Sequence, residues 1–569
     1  MQDDSTPIFD LRAIEMHGDR MWSWRWVKRA IDVAAANHMN ALVLHRNDII
    51  DMLAFPQRYF DVAEIWARWP VRYHNIDNNR QYLRTIMKYA GDRGVQLFLE
   101  VKEISFHDSI LRRRPELMKD GAICASDPFW WEFVEAKLEE LLEALPDLAG
   151  IIVSPATRET RVTISANECR CPRCQTTQPA DWYRDLIRAM FRPLDRRDKI
   201  LAVRDFTYTS GAQGEVLRAV SEVSERIVIS LKNTPHDFYP TFPDNARIGD
   251  VGRHRQWVEF DTWGQFFGLG VFPSIVLDDL AERFRHSQRS GVSGVIARTD
   301  WEVISDGSVF DTLNMANLTG FARLCWDSDA TTADLIKSGL IGPVATAMGG
   351  GLDEERFDLS GHAEAASALQ TALQRSWEVM SKTVFVLRHV FHEDCMFPDT
   401  QRKAWMMLTD IHGIADWDAS LEGALHLTQA KLQDIYREKD EALDLVQQLA
   451  AELLRTSASL PPQARQQIDD TATLWVEYVR GFRACARACF ATRFHSEHPN
   501  DISRAAATRE IANLDAYRHH LAETLDGTRY PYLIYWMLDV ERLASLVADL
   551  QSLTGMATSS ALSKVIAEG

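Results

Sequence analysis

Ile227-Val-Ile-Ser-Leu-Lys-Asn-Thr-Pro-His-Asp-Phe-Tyr-Pro240, followed by Gln256-Trp-Val-Glu-Phe-Asp-Thr-Trp-Gly-Gln-Phe-Phe-Gly268, decides how the rest of the chain is read. Each segment is a short apolar run that ends in charge. Ile227–Leu231 gives way to Lys232 and then Asp237, and Trp257 and Val258 lead directly into Glu259. Short apolar runs of this kind suit strands buried on both faces. Charge at their C-terminal ends is what a parallel barrel presents where its loops gather.

Six more runs of the same kind lie on either side: Phe9–Met16, Ala41–His45, Gln96–Val101, Gly150–Ser154, Ile200–Arg204 and Gly294–Arg298. Most are separated by stretches of helical periodicity, at 22–37, 79–91, 181–194 and 278–290 and from Asp127 onward. Eight strands alternating with helices predict a (β/α)8 TIM barrel over residues 1–326. An open doubly wound sheet is the alternative, but no Gly-x-Gly-x-x-Gly follows the first strand. From 327 to 569 the pattern changes. Helical periodicity at 362–392, 400–410, 418–456, 461–491, 501–524 and 533–553, with prolines at the breaks, predicts an all-helical C-terminal domain.

The 569 residues carry 63 basic and 81 acidic side chains, a net charge of −18. That balance argues against a nucleic-acid or anionic-membrane surface. No apolar stretch is long enough to span a bilayer, and the polar start Met-Gln-Asp-Asp-Ser-Thr-Pro leads to a cytoplasmic expectation. Eight cysteines are too few for a secreted disulfide scaffold. Three of them cluster in Cys169-Arg-Cys171-Pro-Arg-Cys174. Three thiolates at this spacing supply three of four tetrahedral ligands for a structural zinc, the fourth being Cys124, a histidine or Glu168. A loop of unliganded thiols is the other reading. No His-x-x-x-His pair suggests a catalytic metal, so no cofactor is expected to be required.

The strand ends collect Glu15 and His17, His45 and Arg46, Glu100, Lys102 and Glu103, then Arg158 and Glu159. Arg204, Asp205 and Tyr208 follow, then Lys232, His236 and Asp237, then Glu259, Asp261 and Trp263, and lastly Arg298, Asp300 and Trp301. Carboxylates for acid–base work, polar groups for hydroxyls and indole faces for the apolar side of a ring are the mix a sugar site uses. Trp263 and Trp301 are the stacking candidates.

The sequence resembles the α-glucuronidases of glycoside hydrolase family 67. Leu231-Lys-Asn-Thr-Pro-His-Asp-Phe-Tyr-Pro240 is similar to that family's Val-Lys-Asn-Gly-Pro-x-Asp-Phe-x-Pro, and Glu259-Phe-Asp-Thr-Trp-Gly-Gln-Phe-Phe-Gly268 to its Glu-Phe-Gln-Ile-Thr-Gln-Glu-Tyr-Leu-Gly. Asn317–Trp326 and Leu145–Val153 resemble two further motifs in the same order. The resemblance implies an inverting α-glycosidase acting on a uronic acid. Asp237 and Glu259 correspond to the carboxylates of its general base, and Glu159 is the nearest match to its acid, with one residue inserted. Arg204 and Lys232 would line the sugar site, joined by Arg158 and His17, and the helical domain would carry a homodimer contact. The family's lysine before the acid has no counterpart in Ser154–Thr160, the turn after the first strand reads Met16-His17-Gly18-Asp19, and the family's N-terminal domain is not expected here. A barrel that binds sugar or metal without this hydrolysis is the competing reading.

Overall fold

The computed structural model describes residues 6–555 apart from Phe206, Tyr208, Ser305, Asp306, 341–360, Glu393, Asp394, Asp526 and Thr528. Tyr208, one of the strand-end residues, therefore lies outside the described residues. Eight strands form a closed barrel: β1 Leu11–Met16, β2 Ala41–His45, β3 Gln96–Val101, β4 Gly150–Val153, β5 Ile200–Arg204, β6 Val228–Lys232, β7 Gln256–Asp261 and β8 Gly294–Arg298. All neighbours are parallel, and β8 pairs with β1 to close the ring, Leu11 opposite Gly294 and Glu15 opposite Arg298. The fold is the (β/α)8 barrel with a helical C-terminal region that the sequence pattern predicts.

Alternation along each strand sorts the apolar residues into two cores. Ala13, Val43, Phe98, Ile152, Ala202, Val228, Trp257 and Ile296 fill the lower interior of the barrel. Their neighbours in sequence, such as Ile14, Leu42, Leu99, Ile151 and Val203, point outward and join the large core under the surrounding helices. Trp257 fits inside because Gly294 has no side chain: a Cβ there would lie 2.5 Å from the indole Cδ1.

The next interior layer towards the C-terminal ends is polar. β7 runs on through Glu259 to Asp261, three residues past the apolar Trp257–Val258, because this part of the interior is lined by ionisable groups and not by aliphatic ones.

The C-terminal region holds the helices Ala363–Val384, Gln429–Ser457, Pro462–Glu497 and Asp501–Thr524, with shorter ones between and after them. Their starts carry the expected caps. The Thr428 hydroxyl accepts from the Lys431 N–H, and Asn500 and Ser503 form a reciprocal capping box. Three details differ from the sequence reading. The stretch 418–456 is a regular helix only from Gln429, after a short turn at Ala419–Leu421. The periodic stretch 533–553 is two helices, Tyr532–Met537 and Val540–Leu553, because Asp539 caps the second. A two-residue hairpin, Phe385–Val386 with His389–Val390, turns through Leu387 and Arg388 at φ 47° and 74°. The helices share one continuous apolar core with the barrel. Direct bonds cross the junction too, from the Ile275 N–H to the Ser376 hydroxyl at 2.8 Å and from the Cys395 thiol to the Gln265 carbonyl at 3.3 Å. Among the described residues no helix is long and apolar enough to cross a membrane.

Candidate active site

The upper interior of the barrel is an ionic layer. Arg204, at the end of β5, is fully buried; its Nε donates to Glu259 of β7 and its Nη1 forms an ion pair with Glu100 of β3 at 3.2 Å. The other Glu259 oxygen accepts from Ser230 of β6 at 2.8 Å, and Glu100 accepts from Ser154 at 2.7 Å. His45 of β2 sits 2.9 Å from Glu15 and 3.3 Å from Glu100. Two glutamates thus share one guanidinium, and His45 links Glu100 to a third, Glu15. Burial raises the Glu100 carboxyl to about 8, Arg204 opposing this and Glu15 and Glu259 adding to it.

Above this layer, His17 stacks on His45 with ring centroids 3.7 Å apart. Burial and the nearby cations push both imidazoles well below their usual range, so both are neutral. Arg298 donates to His17 Nδ1 at 2.6 Å, so the His17 proton is on Nε2, facing Glu302 at 3.1 Å.

The two halves of the mouth differ. On the side of β5 to β8, Lys232 donates to Asp237 at 2.7 Å, and His236 bonds to His412 of the helical region at 2.8 Å. Burial alone would raise the Asp237 carboxyl, but Lys232 and the two histidines more than offset it and hold it well below the usual carboxylate range. Asp237 has φ 48°, a left-handed conformation that costs energy in a non-glycine residue. Phe238 is buried under the cations of Lys232 and Arg298, at 5.5 and 5.7 Å.

The side of β1 to β4 opens into a cavity of about 730 Å³. His17, Arg46, Arg158, Glu159, Arg161 and Glu302 are on its wall. Glu159 pairs with Lys102, the residue after β3, and accepts from the Asn47 amide at 3.3 Å. Burial lowers Lys102 to about 8, with Glu302 pulling the other way. The loop that carries Glu159 holds two left-handed residues, Ala156 at φ 68° and Arg158 at φ 61°. It is anchored by Glu103, which accepts from the Ala156 N–H at 2.9 Å and from the Thr160 hydroxyl at 3.0 Å. Arg46 is balanced by Asp19 and Asp48, and Arg161 by Asp108. Arg158 makes no ion pair or hydrogen bond among the described residues.

The predicted site residues therefore occupy different depths. Glu159, Arg158 and His17 face the cavity, and Asp237 and Lys232 sit together at the mouth. Glu259 and Arg204 are fully enclosed one layer below, where they touch each other and not the cavity. The two stacking candidates are displaced in the same sense. Trp263 is wholly buried against Gly270, whose added Cβ would meet its Nε1 at 2.6 Å, and Trp301 packs towards Trp536 at 6.0 Å. Asp261 accepts three loop N–H groups, from Trp263, Gly264 and Gln265, and so shapes the turn that buries the indole. Two groups escaped the sequence reading. Glu302 directly follows Trp301 and is not among the strand-end residues named from sequence, and His412 lies in the helical region, 176 residues from the histidine it contacts.

No protein-family model matches the chain, and no curated protein matches it in sequence. Solved structures do match in fold. A GH138 enzyme targeting pectin rhamnogalacturonan II superposes with a TM-score of 0.60 at 12% identity, over 92% of this chain and 62% of that one. The chain thus spans less than two thirds of that enzyme's length. A GH115 4-O-methyl-α-glucuronidase with specificity for decorated arabinogalactans aligns at TM-score 0.46 and 10% identity, over 98% and 63% of the two chains. The O-GlcNAc hydrolase of Thermobaculum terrenum aligns at 0.41 and 12%, over 99% and 97%. At these identities the likeness is one of fold. None of the three is a family 67 enzyme, so that resemblance rests on the sequence motifs.

Proposed function

We propose that the protein is a glycoside hydrolase that cleaves an α-linked sugar bearing a carboxylate, with inversion. Glu159 protonates the leaving oxygen, and Asp237, held by Lys232, activates the water. Glu259 is a positioning residue: it fixes Arg204 and, through it, the ionic layer under the floor. The observation that carries this reading is Glu159 on the wall of a roughly sugar-sized cavity of about 730 Å³, beside an Arg158 with no carboxylate of its own. A guanidinium left unpaired in a polar cleft is suited to bidentate binding of a substrate carboxylate. The fold it shares with a GH138 enzyme is compatible with this chemistry.

A second reading is favoured by Glu302. It faces the same cavity as Glu159, whereas Asp237 is not among the residues lining it. In that version Glu302, 3.1 Å from His17 Nε2, activates the water. Steady-state kinetics of Glu159→Gln, Asp237→Asn and Glu302→Gln on α-linked uronides distinguish the two. Glu159→Gln should slow substrates with poor leaving groups by about 100-fold or more and activated aryl glycosides far less. Whichever of Asp237→Asn and Glu302→Gln loses activity on every substrate identifies the base. Arg158→Ala should raise KM for the uronide and leave the neutral analogue unchanged. Full activity of Glu159→Gln on both substrate classes would remove the proposal.

A further inference from the structure

We propose that Cys124, Cys169, Cys171 and Cys174 form a tetrahedral zinc site that clamps the far end of the loop bearing Glu159. This site does not depend on the hydrolase reading. The protein's eight cysteines fall into two sets. Cys325, Cys395, Cys485 and Cys489 are packed into the main apolar core, where a small hydrophobic side chain is explanation enough. The other four are not part of that core. They make a small cluster of their own, in which Ala122 is the one other apolar side chain among the described residues, so burial of apolar surface does not account for their convergence.

The geometry is that of a thiolate cage. All four sulfurs lie within 4.8 Å of one another. Cys124 Sγ is 3.6 Å from both Cys171 Sγ and Cys174 Sγ. A disulfide would hold its sulfurs at about 2.0 Å. Zinc at about 2.3 Å from each sulfur sets the edges of the tetrahedron at roughly 3.8 Å.

The ligands come from two separate loops. Cys169, Cys171 and Cys174 lie between β4 and the helix Pro179–Asp195, and Cys124 follows the hairpin Met118–Lys119 and Ala122–Ile123. In the Cys171-Pro-Arg-Cys174 turn the Cys171 sulfur already accepts the Cys174 N–H at 3.5 Å, a bond that favours the thiolate. Arg170 and Arg173 interleave the cysteines in sequence, and Arg173 pairs with Asp127 at 3.3 Å. The Cys124 side is rigid, because Trp130 donates to the Cys124 carbonyl and Trp182 to the Ala125 carbonyl, both at 2.9 Å.

The position explains what the metal is for. The loop from Pro155 to Gln178 meets the barrel near Glu159 through Glu103 and through a single bridge from Ile104 to Val162. A zinc ion at its other end ties it to the segment in front of the helix Phe129–Ala144, and so fixes both ends of a long loop.

The test is the metal content of the purified full chain, measured by elemental mass spectrometry after gel filtration in a reducing buffer. One zinc per chain is expected. Replacing it with Co²⁺ should give strong thiolate-to-cobalt charge transfer and the visible bands of a tetrahedral centre. Cys124→Ser should weaken and shift those bands, and Cys325→Ser, in the core, should leave them unchanged. The result is read on the unmutated protein first, so a variant that fails to fold does not obscure it. A chain that carries no metal and takes up neither zinc nor cobalt overturns the proposal. So does iron at the site, or recovery of these cysteines as disulfides from reducing buffer.

Discussion

Replacing Arg204 by methionine should cost the protein about 3–5 kcal/mol of stability at pH 8, the usual penalty for removing one partner of a buried ionic group. Arg204 is fully enclosed and is shared by Glu259, through Nε, and Glu100, at 3.2 Å. Without it, Glu15, Glu100 and Glu259 face one another beside the neutral His45 and the hydroxyls of Ser154 and Ser230. Carboxylates crowded in this way fold only if they take up protons. Glu100, which burial already raises to about 8 with Arg204 opposing, is then raised further above its unfolded value. The stability it contributes is full below about pH 4.3 and is lost as the pH rises through that raised value. The deficit of Arg204→Met should therefore be much smaller at pH 5 than at pH 8. Adding Glu259→Gln should recover part of it at pH 8, because the two side chains act as a unit. Urea unfolding followed by tryptophan fluorescence at the two pH values measures all three quantities. A loss below about 1 kcal/mol at pH 8, or the same loss at both pH values, would refute the ionic layer as described.

Three further outcomes follow from burial and packing. Burial raises Glu103 to about 7, so its contribution is full below about pH 4.5 and falls as the pH passes 7. Thermal melts of Glu103→Gln should lose less stability than the parent between pH 5 and 8, and parallel curves would contradict this. Gly150→Ala should cost about 1–3 kcal/mol by overpacking, since its Cβ would sit 2.3 Å from the Ile200 carbonyl oxygen. Gly211→Ala, in a helix with open space around it, should be neutral or mildly stabilising in the same denaturation assay.

The barrel is legible in the sequence because its strands are buried on both faces and read as uninterrupted apolar runs. Ala41–His45, Ile200–Arg204 and Gly294–Arg298 need no adjustment at either end. The run ending at Val258 falls short because β7 continues into a polar layer, which an apolar criterion takes for a loop. The ring of ionisable groups is legible for the same reason, since it marks where the apolar runs stop. Depth is not. Period two places Glu15, Glu100, Arg204 and Glu259 on the inner face. Whether a ligand reaches them depends on the layer above and on helical residues such as His412, which are remote in sequence. Trp263 follows a strand end as a sugar platform would, yet the turn built on Asp261 folds it under Gly270. The partner of Cys169, Cys171 and Cys174 was open among several residues, because spacing constrains ligands on one loop and says little about another. The structure brings Cys124 to them.

The central claim is acid–base hydrolysis of an α-linked, carboxylate-bearing sugar at the cavity of Glu159. Proton NMR of an α-linked uronide incubated with the full chain tests it most directly, through the anomer of the first free sugar. The account predicts hydrolysis with the β-anomer appearing first and the α-anomer growing in only by mutarotation, because water attacks the face opposite the leaving group. Release of the α-anomer first would mean a covalent intermediate and a different pair of carboxylates, and no release from any α-linked uronide would contradict the claim itself.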